Sequence, residues 1–247
     1  MVKRSFFRKQ IGAFVARTMG TITGILTREK VVALTFDDGP HPEFTPQLLK
    51  ILAKYQAQAT FFMVGQSARL YPDVLKDVAQ GGHAIGIHGW DHSSFLAISP
   101  WEQRKQIRSC AQVIAPYAHH IFRPPYGHQN LASHLNVWSL GYEIIGWDLD
   151  AADWLFHDSY SIVDTLTENL QPGSIVLLHD AIHLPEAGVN IDRQSTLDAV
   201  DLLLDRLSND LKFVTVPGLL QYGIPRRVNW YRNGEEDKAH VPGISVV

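Results

Sequence analysis

Short apolar runs alternate along most of the chain with stretches whose apolar residues recur every three or four positions. Residues 31–35 form an apolar run that leads into Asp37-Asp38-Gly39-Pro40, as a buried strand followed by a turn would. Leu48, Leu49, Ile51 and Leu52 then sit at helical spacing within residues 46–55. The pattern continues with a strand predicted over 59–64, a helix over 71–81 ended by two glycines, and a strand over 84–88. Residues 100–115 predict a helix with Pro100 in its first turn, and 121–122 a short strand. Helices are predicted over 130–140, 161–170 and 195–208, and strands over 143–147, 174–179 and 212–216. Seven or so β-α units imply an α/β fold with a mostly parallel sheet, closed or nearly closed on itself.

Polar residues gather just after these strands: Asp37 and Asp38, His88 and His92, Arg123, the acids of 148–153, and His179 with Asp180. In a β/α barrel the C-terminal strand ends are where active sites form. Five polar clusters at five such ends are hard to explain as surface decoration.

Composition adds limits. With 45% hydrophobic and 19% charged residues in 247, the chain has the make-up of a globular protein, which excludes collagen-like and low-complexity classes. The single cysteine, Cys110, rules out an intrachain disulfide and a Cys-rich zinc ribbon; on its predicted helix it reads as a buried, inert thiol. A net charge of -3 gives no reason to expect a nucleic-acid partner.

The charge is unevenly spread. Residues 1–30 hold seven basic groups and one acid, Glu29, against a net -9 for the rest. Within that segment Phe7, Ile11, Phe14, Val15, Met19, Ile22, Ile25 and Leu26 recur at helical spacing, although Gly12, Gly20 and Gly24 weaken a helix. Two readings stay open: a helix on an anionic membrane surface, or one packed against the barrel. No run of 18 apolar residues predicts a spanning helix, and 11–16 is short for a cleavable signal. The expected organisation is a basic amphipathic segment over 1–30, a catalytic domain over 31–218 and a tail or rim over 219–247. The expected location is the cytoplasm, peripheral to the membrane.

The clusters carry distinct chemistries. Asp37 and Asp38 either form a solvated Asp-Gly-Pro turn or repel one another unless a cation or an arginine separates them. His88 and His92, four apart, face one side of a helical turn and can hold one metal; with Asp38 they make a two-His, one-carboxylate set with open coordination positions. Arg123-Pro124-Pro125-Tyr126-Gly127 places one cation beside a stiff turn able to present an N–H to an oxyanion. Asp148, Asp150 and Asp153 lie among Trp147 and Trp154, and any one of them can cap a helix. His179 is either buried and satisfied or catalytic.

These motifs occur in the order and spacing of the polysaccharide (chitooligosaccharide) deacetylases, carbohydrate esterase family four, which residues 31–218 resemble. The likeness extends to Ala59-Thr60-Phe61-Phe62 and Gly82-His83-Ala84-Ile85-Gly86. The resemblance implies a distorted (β/α) barrel of about seven parallel strands and metal-dependent removal of acetyl groups from N-acetylated sugars of a glycan or oligosaccharide. It implies Asp37 as general base and Asp38, His88 and His92 as metal ligands. It implies Arg123 as the partner orienting Asp37, and Tyr126 as donor of an oxyanion N–H. Asp153 would tune His179, the general acid, and Trp154 and Leu177 would wall the acetyl pocket. The ligand set suits Zn2+, with Co2+, Ni2+ or Mn2+ able to substitute. The chain departs from the family at Ile87, Gly89 and Ser93, where an amide, a hydroxyl and a proline are usual; this bears on support behind the ligands. Rival expectations are an O-acetyl esterase acting on xylan-like sugars and a glycan-binding protein without turnover.

Overall fold

The structure, a computed structural model, describes residues 18–183 and 188–229. Its strands are β1 (Thr21–Leu26), β2 (Val31–Asp37), β3 (Ala59–Met63), β4 (Ala84–Ile87), β5 (Ala118–Phe122), β6 (Glu143–Ile144), β7 (Leu149–Asp150), β8 (Ile175–His179), β9 (Lys212–Phe213) and β10 (Ile224–Val228). The helices are α1 (Phe44–Lys54), α2 (Gly65–Leu70), α3 (Pro72–Gln80), α4 (Pro100–Ile114), α5 (Leu131–Trp138), α6 (Ser159–Asn169), α7 (Gln194–Leu207) and α8 (Val216–Leu219).

Seven parallel strands form one curled sheet in the order β6-β5-β4-β3-β2-β8-β7, and β9 pairs with the start of β2. The fold is thus the distorted β/α barrel that the alternation of elements implies. β6 and β7 lie at opposite edges of the sheet, yet only residues 145–148 join them. Such a link spans at most about 17 Å, so the sheet must curl until its edges nearly meet.

The strands are buried on both faces, which explains their continuous apolar runs. Side chains alternate between the two faces. Val32, Leu34, Phe36, Phe61, Met63, Val176 and Leu178 pack outward with Leu48, Leu52, Ile107 and Leu166 of the helices. Ala33, Phe62, Ile121 and Ile175 point inward and pack with Ile22, Ile25, Val216 and Leu219. The same period carries the inward faces onward to Thr35 and Asp37, to Arg123, and to Leu177 and His179. The barrel interior is therefore apolar at one end and ionic at the other.

Two expectations are corrected. Residues 21–26 form strand β1 and not the end of an amphipathic helix; Ile22 and Ile25 are buried inside the barrel. β1 bridges the seam, since the Gly146 N–H donates to the Ile22 carbonyl and the Ile25 N–H to the Gly173 carbonyl. Residues 224–228, expected as tail or rim, form β10, antiparallel to β1, and Arg226 and Arg227 pair with Asp148 and Glu143. The glycines at 20 and 24, with a strand partner about 200 residues away, outweigh the local helical spacing. The rest of that amphipathic pattern, in residues 1–17, lies outside the described residues, as do 230–247. No helix among the described residues is long and apolar enough to cross a membrane. The strand expected over 143–147 is shortened to β6 because the chain then crosses the seam to β7, and α2 was not legible in the pattern.

Candidate active site

Asp37 is the last residue of β2 and inherits its inward direction from the strand period. Arg123, just past β5 and fully buried, reaches it from across the barrel: Nη1 donates to Asp37 Oδ1 at 2.8 Å and to Thr35 Oγ1 at 2.7 Å. Its remaining donors go to the carbonyls of Ile145 and Gly146, so this cation is bound on every side by acceptors. Asp37 Oδ2 stays turned toward His88 Nε2, 3.7 Å away.

Asp38 takes a left-handed conformation, φ 75°, so the chain turns and its carboxylate shares the site with that of Asp37. Its Oδ2 accepts the His183 backbone N–H at 2.9 Å. Its Oδ1 is buried and has no hydrogen-bond partner, while His88 Nε2 and His92 Nε2 approach it at 3.4 and 3.2 Å. Ligand atoms of Asp38, His88 and His92 lie within 4.8 Å of one another. Arg123 carbonyl oxygen, 2.8 Å from His88 Nδ1, can only accept, so Nδ1 carries the proton and the Nε2 lone pair faces Asp38. Burial lowers the His92 pKa to about 4 despite the Asp38 charge, which keeps that ring neutral as a ligand must be. Burial works against the charge on Asp38, but the neighbouring His88, His92 and His179 side chains hold it well below the usual carboxylate range.

The two histidines do not share a helical turn, as their spacing suggested. A loop with Gly89 at φ 84° and His92 at φ 60° folds them together, with rings 5.0 Å apart. Gln106 of α4 holds that loop through the N–H groups of Trp90 and Asp91. His92 Nδ1 is buried without a hydrogen-bond partner. Four of the five described non-glycine residues with positive φ (Asp38, His92, Tyr126 and Ala152) lie in the loops around this site, which marks it as the strained part of the fold.

On the other side stands a second ion pair. Asp153 Oδ1 is 2.8 Å from His179 Nδ1, and Oδ2 accepts the His179 backbone N–H at 2.9 Å. Burial disfavours the imidazolium. The charge and hydrogen bond of Asp153, helped by the charges of Asp38 and Asp37, outweigh it and push His179 up to about 9. Asp150 accepts the Ala152 N–H in a tight turn that sends the chain on to Asp153; burial lifts Asp150 to about 6. Of the acids left open as helix caps, Asp148 instead pairs with Arg226, and Asp153 with His179.

Tyr126, φ 58°, lies in the turn after Arg123 with its ring 4.4 Å from that of His92. Leu177 points inward on β8 two residues before His179, and Trp154 follows Asp153 directly, half-buried. All ten predicted residues thus lie on the strand ends and loops at one end of the barrel. Sequence reasoning missed Arg193 and Thr196, which bind Asp153 from behind, and the His183 N–H on Asp38. One arginine in a polar stretch reads as surface, so no sequence signal pointed to it.

The fold and the site define a β/α barrel whose Asp38–His88–His92 cluster lies between two charged pairs, and similarity to known proteins places it further. The family profile described as Polysaccharide deacetylase matches residues 25–145. A peptidoglycan-N-acetylglucosamine deacetylase of Bacillus cereus is 37% identical over 199 residues, covering 78% of this chain and 90% of that protein. Among solved structures, a peptidoglycan N-acetylglucosamine deacetylase bound to 4-naphthalen-1-yl-N-oxidanyl-benzamide matches with TM-score 0.76 and 29% identity, over 87% of this chain and 98% of that one. A family 4 acetyl xylan esterase from Clostridium thermocellum, in complex with a cobalt ion, matches with TM-score 0.69 and 32% identity, over 78% and 91%. The chain belongs to the polysaccharide deacetylase family, whose members include carbohydrate-deacetylating hydrolases.

Proposed function

We propose that the protein is a metal-dependent deacetylase that hydrolyses the N-acetyl group of N-acetylated sugars in a glycan, with Asp37 as base and His179 as acid. One observation carries this reading: the Asp38–His88–His92 cluster lies between Asp37, held by Arg123, and His179, held by Asp153. Base and acid on either side of an electrophile site are what amide hydrolysis requires, because water must lose a proton and the amine must gain one.

The donor set fits a divalent ion. Two neutral imidazole nitrogens and one carboxylate converge, and the unpartnered Asp38 Oδ1 is a buried charge without a counter-ion. Bound there, such an ion (zinc first, with cobalt, nickel or manganese as substitutes) supplies Lewis acidity at the acetyl carbonyl and acidifies water.

The residues of the chain do the rest. Asp37 Oδ2 takes the proton of the attacking water while Arg123 fixes Oδ1. The Tyr126 backbone N–H donates to the developing oxyanion. His179 releases its Nε2 proton to the nitrogen as the C–N bond breaks, since an amine anion cannot leave. Trp154 and Leu177 bound the space for the acetyl methyl. The peptidoglycan N-acetylglucosamine substrate of the Bacillus cereus relative supports an N-acetylated glycan here. Acetate release across N-acetyl glycans and acetylxylan, with metal content measured on the same sample, tests the reading. Release from acetylxylan alone replaces it with an O-acetyl esterase, and glycan binding without release replaces it with a binding protein.

A further inference from the structure

The His179–Asp153 pair is backed by two residues from the start of one helix. Arg193, immediately before α7, is fully buried. Its Nη1 donates to the Asp153 carbonyl oxygen at 2.9 Å and lies 3.6 Å from Asp153 Oδ2. Its Nη2 donates to the Asn190 carbonyl, and the Asn190 N–H donates to the Trp154 carbonyl at 2.9 Å. One arginine therefore clamps the segment before α7 onto the backbone of residues 153–154. In the first turn of α7, Thr196 Oγ1 donates to Asp153 Oδ2 at 3.0 Å.

These contacts leave the Asp153 carboxylate little freedom. Oδ2 accepts from the His179 N–H and from Thr196, with the guanidinium beside it; Oδ1 is left for His179 Nδ1. Burying a guanidinium carries a desolvation cost of several kcal/mol, and an apolar side chain would close the same loop without it. The contacts converge instead on the one residue that holds His179.

We propose that Arg193 and Thr196 are positioning residues for the acid step, keeping the Asp153 carboxylate aligned with the His179 ring. Without these contacts Asp153 is free to rotate off His179 Nδ1, and the Nε2 proton is then no longer aimed at the leaving amine. The inference rests on His179 being the acid.

The test compares full-length wild type, Arg193→Met, Arg193→Lys and the isosteric Thr196→Val on an N-acetylglucosamine oligomer and on 4-nitrophenyl acetate. Thermal melts and metal content are read alongside. An aryl alkoxide leaves without a proton, so only the amide depends on the acid. Arg193→Met is expected to lower amide turnover about 10–100-fold, the range for a group holding a functional side chain from behind, with the aryl ester rate nearly unchanged. Thr196→Val should show the same selectivity more weakly and carries the test if Arg193→Met does not fold. Arg193→Lys keeps the charge but not the planar fork and should recover part of the loss. In an Asp153→Asn background Arg193→Met should add nothing to the selectivity. Equal losses on both substrates, or unchanged amide turnover, overturn the proposal. If Asp153→Asn is amide-selective while the Arg193 and Thr196 variants are not, the proposal alone falls. A wild type that releases acetate from neither substrate overturns the acid role and this inference together.

Discussion

At the scale of single residues, neighbours decide what each group does. Asp37→Asn keeps the shape of the base and removes its proton affinity, so turnover should fall about 10²–10⁴-fold with metal still bound. Near-normal turnover in that variant removes Asp37 from the role. Asp38→Ala or His92→Ala should abolish stoichiometric divalent-ion binding in dialysed protein, read by elemental analysis; full activity of an exhaustively chelated wild type would count against a metal. In the proposed acid role His179 works in its protonated form. Its pKa lies near 9, so kcat/KM against pH should hold up to that region and fall above it as the imidazolium is lost. Asp153→Asn deletes the charge that raises it, so the alkaline limb should move down toward the ordinary imidazole value of about 6.5. An unmoved limb would show that another group sets it.

At the scale of elements, the strand period aims Asp37, His179 and Arg123 inward, and loops with left-handed residues bring in Asp38 and His92. The seam depends on close backbone approach. Gly173 has φ 86°, and a Cβ there would lie 2.3 Å from the Ile25 carbonyl oxygen, whereas Gly141, φ 83°, has nothing within 4 Å. Gly141→Ala should therefore cost only the left-handed strain of about 1–2 kcal/mol, and Gly173→Ala more, because β1 must move as well. Urea midpoints of the two variants check this; equal losses would mean that β1 is not held there. The central strands and most helices were legible because burial on two faces and a 3.6 period leave strong local marks. β1 and β10 were not, since each acquires its structure from a partner about 200 residues away.

At the scale of the whole molecule, the sheet brings together ends of strands spread over more than 140 residues, and β1 with α8 fills the interior beneath them. Residues 1–17 carry five basic groups and no acid ahead of β1. We propose that they contact an anionic membrane surface. Flotation of the full chain and of residues 18–247 on phosphatidylglycerol and phosphatidylcholine vesicles tests it; the full chain alone should float, and only with the anionic lipid. Equal behaviour of the two chains removes the membrane role. The cut must fall before β1, whose removal would empty the barrel interior. From the sequence alone came the parallel α/β class, the family likeness and the ten candidate positions that the barrel gathers at one end, because strand periodicity and motif order survive in one dimension. Only the tertiary structure decided that β1 closes the seam and that a loop, not a helix, joins His88 to His92. It likewise decided that Arg193 and Thr196 stand behind Asp153. Each of these depends on which distant groups meet in a water-poor interior, where desolvation and pairing, and not local propensity, set the outcome.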